Sequence, residues 1–154
     1  GNILQMEDGR LGLIDYGACD VLDHDKREAF ARLCVALADK DDPGTIKAFK
    51  DFGVSSENND DRFLLCYAML CYHRGFHPDD MKRCGIPDDV GPLDLELYLN
   101  KFDHIQKMEG PVATTQRCVM VLLGLGQEIG ASGVSIATMF RPTAVEYLKS
   151  RGKM

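Results

Sequence analysis

The chain changes texture once, at Asp15-Tyr16-Gly17. Before that point stand two short apolar runs, 2–6 (NILQM) and 10–14 (RLGLI), joined by Glu7-Asp8-Gly9. Beyond it, apolar residues recur mostly at helical spacing. Two β-rich runs joined by a turn ending on glycine predict a β-hairpin. Antiparallel strands return the chain to its start, so a hairpin here sets Asn2 beside Asp15. The constraint is strong: a polar hairpin mouth must lead directly into a helical body.

The helical body reads in segments. Asp23 or Asp25 caps a helix in which Phe30, Leu33, Cys34 and Leu37 follow i, i+3, i+4, i+7 spacing. Asp41, Asp42 and Pro43 start a short helix, Thr45 to Phe52, closed by Gly53. Asn58 to Asp61 caps an apolar helix from Phe63 to His73, with Phe63, Leu64, Tyr67, Leu70 and Cys71 on its core face. Residues 76–92 are loop-like, with one helical turn near Asp80–Arg83. Segment 93–99 alternates like a strand, but Leu95, Tyr98, Leu99, Phe102 and Ile105 keep helical spacing, so a helix is expected through 105. Pro111 starts another helix over 112–129, and Ser135 starts the last one, which Pro142 kinks or restarts. The expected fold is mainly α, one hairpin followed by six or seven helices. It divides into a hairpin unit, 1–17, and a helical part, 23–150, within a single domain spanning 1–154.

Bulk properties exclude several classes. With 154 residues, 45% hydrophobic and 27% charged, the composition is that of a globular domain with one core. A net charge of −6 disfavours nucleic acid as a partner, because neutralising phosphates needs a basic face. No apolar run is long enough to span a membrane. The six cysteines form no C-x-x-C pair and several sit inside apolar helical patterns, where a reduced thiol packs as a small hydrophobe.

An amide oxygen and a carboxylate a few ångströms apart make a hard-oxygen site suited to Mg²⁺, which keeps waters and takes further ligands from phosphates. Gly17 lets the backbone turn sharply just past the carboxylate. Kinase-type enzymes hold Mg²⁺ against ATP in this way, with a catalytic-loop Asn and the Asp of an Asp-Phe-Gly motif.

The run GNILQMEDGRLGLIDYG resembles the catalytic-loop end and metal-binding segment of the UbiB/AarF-type (ADCK) atypical kinases. The stretch VLLGLGQEIGASGVSIATMFRPTAVEYLK, 121–149, is similar to that family's closing Gly-Leu-Gly and Val-Ser…Arg-Pro pattern. The likeness brackets the chain; the middle is placed only by its helical texture. It implies a kinase-like C-lobe with Asn2 and Asp15 as Mg²⁺ ligands serving Mg·ATP, Tyr16 in place of the motif's Phe, and Gly17 completing the motif. It also implies an N-terminal lobe carrying a nucleotide-clamping Lys, its Glu partner and a catalytic Asp before Asn2. No residue of this chain takes those catalytic roles, so Gly1 is expected to mark a boundary through the catalytic loop, with a missing N-lobe packing on this chain. The family likeness implies support of prenyl-lipid or quinone metabolism, ubiquinone biosynthesis included, with a prenyl-lipid or membrane-associated partner in mitochondria, plastids or bacteria. The rivals are a pseudokinase-derived helical interaction module and a small-molecule phosphotransferase of the aminoglycoside or choline kinase type.

Other signals favour plainer readings. Cys71, His73, His77 and Cys84 are spaced C-x-H-x3-H-x6-C, which fits no standard zinc pattern. Gly124-Leu125-Gly126-Gln127-Glu128-Ile129-Gly130 mimics a dinucleotide fingerprint but lies in a helical pattern, so close helix packing or helix termination is expected. The acidic groups at Asp39/Asp41/Asp42, Asn58–Asp61 and Asp88/Asp89 read as caps and solvated loops, without EF-hand spacing.

Only Ala18 to Leu22 or so separate Gly17 from the first helix, and no Ser or Thr occurs between residues 1 and 44. So short a segment cannot build a peptide-docking platform or a phosphorylation switch. The full-length parent is therefore expected not to phosphorylate proteins in trans. An in vitro assay showing measurable turnover on a generic protein substrate would contradict this.

Overall fold

The computed structural model describes residues 2–15, 17, 19–131 and 133–154. They form a short antiparallel hairpin, seven helices and a second two-stranded sheet. Strands β1 (Ile3–Gln5) and β2 (Leu11–Leu13) pair with Ile3 opposite Leu13. The turn closes through Gly9, whose φ of 81° suits a residue without Cβ.

Helix α1 (His24–Asp39) is capped by Asp23, whose side chain accepts the Lys26 N–H. Helix α2 (Asp42–Phe52) starts at Asp41 and Pro43 and stops at Gly53. At Gly53 the φ is 113°, and a Cβ would lie 2.7 Å from Lys26 Nζ, where Lys26 meets Glu109. The left-handed backbone selects glycine there, since the flexible Lys26 tip could shift aside. The chain then forms β3 (Val54–Ser56) before α3 (Asp61–Tyr72), capped by Asp60. Helix α4 (Pro78–Arg83) is short, as is α5 (Leu95–Leu99). Strand β4 (Ile105–Met108) pairs with β3 across a bulge between Ser55 and Ser56. Helix α6 (Gly110–Glu128) follows, and α7 (Ile136–Ser150) starts at an Ser135 cap.

The core centres on α3: Phe63, Leu64, Cys71 and Tyr72 are buried, with Leu33, Leu37, Phe49 and Phe52 from α1 and α2 packed around them. Ala31 and Cys34 of α1 meet Ala144 and Leu148 of α7 in a smaller apolar cluster. That packing is fastened at one end by the Arg141 guanidinium, which holds both Asp39 oxygens at 2.7 and 2.9 Å. Helix α7 runs through Pro142 as one element. All six cysteines carry free thiols, four of them buried, and burial pushes Cys34 and Cys71 up to about 12. No helix among the described residues is long and apolar enough to cross a membrane.

The main departure from expectation is the stretch after Leu99. Helical spacing predicts one helix through Ile105, but the helix stops at Leu99 and Ile105 opens β4. The reason is Asp103, which is 1% exposed. Its carboxylate accepts backbone N–H groups from Asn58 at 3.0 Å, Asp60 at 2.9 Å and His104 at 2.8 Å. An aspartate that ties down a distant loop competes with helix formation and wins here. The segment 23–150 is accordingly not purely helical, since β3 and β4 join the end of α2 to the start of α6.

Burial alone would raise the Asp103 carboxyl, but the converging N–H donors hold it well below the usual carboxylate range. Its folded value lies below its unfolded one, so its stabilisation is full above about pH 4 and fades as pH falls further. Asp103→Ala, which takes the shared acceptor from three partly buried N–H groups, is expected to cost about 1–3 kcal/mol. Urea unfolding at pH 7 and pH 3 checks both points: the gap between variant and parent should shrink at the lower pH.

Candidate functional site

The hairpin brings Asn2 and Asp15 side by side, as expected of antiparallel strands. Asn2 Nδ2 donates to Asp15 Oδ2 at 2.9 Å, and the Gly17 N–H donates to Asp15 Oδ1 at 2.8 Å. The Ile14 N–H, donated to the Asn2 carbonyl at 3.2 Å, continues the strand ladder to the mouth. Asn2, Asp15 and Gly17 are all exposed. Tyr16 lies outside the described residues.

The donor set suits a hard cation, with two carboxylate oxygens and one amide oxygen on a solvent-facing rim. Two protein ligands are enough for Mg²⁺, which retains waters and shares phosphate oxygens. The amide nitrogen faces Asp15, so the Asn2 side chain must turn over to offer its oxygen to a shared cation. Asp15 already has a donor on each oxygen, yet each keeps a second lone pair.

The histidine and cysteine cluster is divided among separate environments. Cys71 is buried in the core on α3. The Cys84 thiol contacts the Met69 sulfur at 3.6 Å, and Arg74 sits 3.3 Å from His77 Nε2. No group of three or more His, Cys, Asp or Glu residues able to hold a metal occurs among the described residues. The expectation for Gly124 and Gly126 divides. A Cβ on Gly124 would meet nothing within 4 Å, so close packing does not explain that glycine. Termination fits: the helix ends at Glu128, and Gly130 takes a φ of 78°. The acidic groups serve as caps and ion pairs, Asp41 and Asp60 heading α2 and α3 and Asp61 meeting Lys50 at 2.9 Å.

Sequence reasoning misses a polar cavity of about 520 Å³ between α1, α4 and α7, lined by His73, Arg74, Asp80 and Ser135 among others. Asp80 is 3% exposed, and both its oxygens accept from Arg74, at 2.6 and 2.9 Å. Ser135 Oγ lies 2.6 Å from His73 Nδ1 while accepting the Thr138 N–H at 3.0 Å. Burial lowers the His73 pKa, against the pull of nearby Asp80. Sixty-two positions separate His73 from Ser135, so no local pattern announces the pair.

Beside it lies a more apolar cleft of about 540 Å³, walled by Leu11 of β2, the C-terminal turns of α6, and Met139 and Phe140 of α7. Comparisons of this chain with protein-family models, with curated proteins and with solved structures yield no match.

The separation of Cys71, His73, His77 and Cys84 generates a direct expectation. Elemental analysis of purified protein should find zinc well below one ion per chain, and stoichiometric zinc would contradict this account.

Proposed function

We propose that this chain is the C-lobe part of a UbiB/AarF-like atypical kinase or ATPase. In this reading Asp15 and Asn2 hold the Mg²⁺ of Mg·ATP, and the larger protein serves prenyl-lipid or quinone metabolism. The observation that carries the reading is the contact between Asn2 and Asp15, made at 2.9 Å by a hairpin that leads directly into helices. A bound Mg²⁺ would supply charge neutralisation of the nucleotide phosphates. The chain's own part is to keep two hard-oxygen donors at one rim. Gly17 supports this by fixing the Asp15 carboxylate through its backbone N–H.

The surroundings agree with a site completed by a further lobe. Hairpin side chains Ile3, Leu4, Leu11, Leu13 and Ile14 are all exposed, Leu11 at 71%. Apolar strands left open on both faces suit a second protein surface packed on them. The apolar cleft between the hairpin, α6 and α7 supports the lipid side of the reading, being concave and of ligand size.

Asp15→Asn in the full-length parent is expected to abolish the rise in melting temperature produced by Mg·ATP, leaving the nucleotide-free melting temperature almost unchanged. Wild-type-like stabilisation by Mg·ATP would overturn the assignment. No nucleotide effect even in the unsubstituted parent would favour the pseudokinase-derived interaction module.

A further inference from the structure

Three sulfur atoms converge between α3 and α4. Cys66 and Met69 stand three residues apart on α3 and so share a face of that helix. Cys84 is the C-cap of α4, and its Sγ lies 3.6 Å from Met69 Sδ. The same thiol hydrogen-bonds with the Cys66 sulfur. All three side chains are buried. The remaining thiol of α3, Cys71, hydrogen-bonds instead with the Tyr67 hydroxyl.

The Cys84 S–H faces two sulfur acceptors, Met69 Sδ and Cys66 Sγ. Its contact holds the Cys66 thiol below its ordinary range, and Arg62 adds to that. A thiol proton directed at two further sulfurs sits where a cation bonded to all three would sit. Sulfurs bonded to one metal at about 2.3 Å in a trigonal plane stand about 4 Å apart. The 3.6 Å contact therefore needs only a small outward shift.

The donor set decides which metal. Two thiolates and a thioether are soft ligands that select Cu(I). Zn²⁺ favours four ligands drawn from thiolate, imidazole and carboxylate, so the group agrees with the zinc expectation above.

Electrostatics agree as well. Exchange of two thiol protons for one Cu⁺ takes the group from neutral to a single negative charge. Arg62 stands beside it: its Nε donates to the Cys84 carbonyl at 2.6 Å, and a second guanidinium nitrogen donates to the Gly85 carbonyl. Among the described residues no carboxylate forms an ion pair with Arg62, whose guanidinium also lies over the Phe102 ring. The other charges near Cys84 are paired, Arg83 with Asp42 and Asp80 with Arg74. Arg62 and Gly85 are exposed, so the route from solvent to Cys84 runs past the guanidinium.

We propose that Cys66, Met69 and Cys84 form a trigonal Cu(I) site, with Arg62 balancing the charge of the two thiolates. Binding releases two protons and transfers no electron. The site uses no residue of the Asn2–Asp15 mouth and does not depend on the function proposed above.

The test is an anaerobic titration of the reduced protein with Cu(I), supplied as its acetonitrile complex, in competition with bicinchoninate. The background carries Cys19→Ser and Cys118→Ser, which removes the exposed thiols. One Cu(I) per chain is expected to resist the chelator, and X-ray absorption should show three sulfurs around it. Met69→Leu, which nearly conserves volume, should leave two sulfurs and lower the affinity about tenfold. Cys84→Ala should lower it about a hundredfold or more, with copper-free melting curves checking that the chain still folds. Cys34→Ala, at a buried thiol in the α1–α7 cluster, should leave binding unchanged. Absence of chelator-resistant copper would overturn the proposal, as would nitrogen or oxygen ligands on the bound metal. Three sulfurs persisting in Met69→Leu would overturn it too, and so would equal losses in Cys34→Ala and Cys84→Ala. If Cys84→Ala fails to fold, the sulfur count in Met69→Leu decides alone.

Discussion

One buried tyrosine sets the relation between four helices. Tyr72, at the end of α3, is 1% exposed, and its ring packs against Phe30 of α1 at 5.7 Å and Phe49 and Phe52 of α2 at 6.0 and 6.1 Å. These are edge-to-face contacts, the arrangement that aromatic quadrupoles favour. A phenol so deep still needs a partner for its hydroxyl. It donates to the Val112 carbonyl at 3.3 Å, in the first turns of α6. The aromatic contacts therefore bring α1, α2 and α3 together, while the hydroxyl fixes where α6 begins. Burial pushes the phenol far above its ordinary range, so it stays a donor at every working pH.

Because α6 is anchored at its start, its far end can leave the core. Val112 and Val119 are buried, whereas Val121, Leu125 and Ile129 are exposed. The apolar cleft follows from that divergence: α6 departs, α7 returns beneath it, and Leu11 of the hairpin closes one side. The hairpin is a two-stranded sheet of its own. Two strands of three residues each, exposed on nearly every side chain, are marginal on their own in water. Under the proposed function this is the expected condition of strands that carry metal ligands toward a second lobe.

The fold was legible wherever the determining contact was local. Asp23, Asp41, Asp60 and Ser135 each cap the helix that follows them, through bonds spanning three residues. The hairpin was legible because two short apolar runs joined by a turn ending on glycine read as antiparallel strands, and that pairing brings Asn2 beside Asp15. The sequence misled where a distant partner decides. Leu95 to Ile105 has helical spacing, but Asp103 is claimed by N–H groups from residues 58 and 60, over forty positions away. His73 and Ser135 fail to announce themselves for the same reason. Taken singly they read as a helix end and a cap, and only the tertiary structure makes them a pair.

The two candidate sites are physically distinct yet share one element. Leu11 belongs to the cleft wall, and its pairing with Gln5 is part of the ladder that ends at Asn2 and Ile14. Burying apolar surface stabilises by about 25 cal/mol per Å². An occupant of the cleft that covers Leu11 would therefore add its stabilisation to the ladder that holds the mouth together. The polar cavity has no such link: its charges are fixed by Arg74–Asp80 and Arg83–Asp42, within the helical body. The dependence is unequal. The helical body builds the polar cavity and all of the cleft wall except Leu11, while the hairpin gains most from whatever covers its exposed side chains.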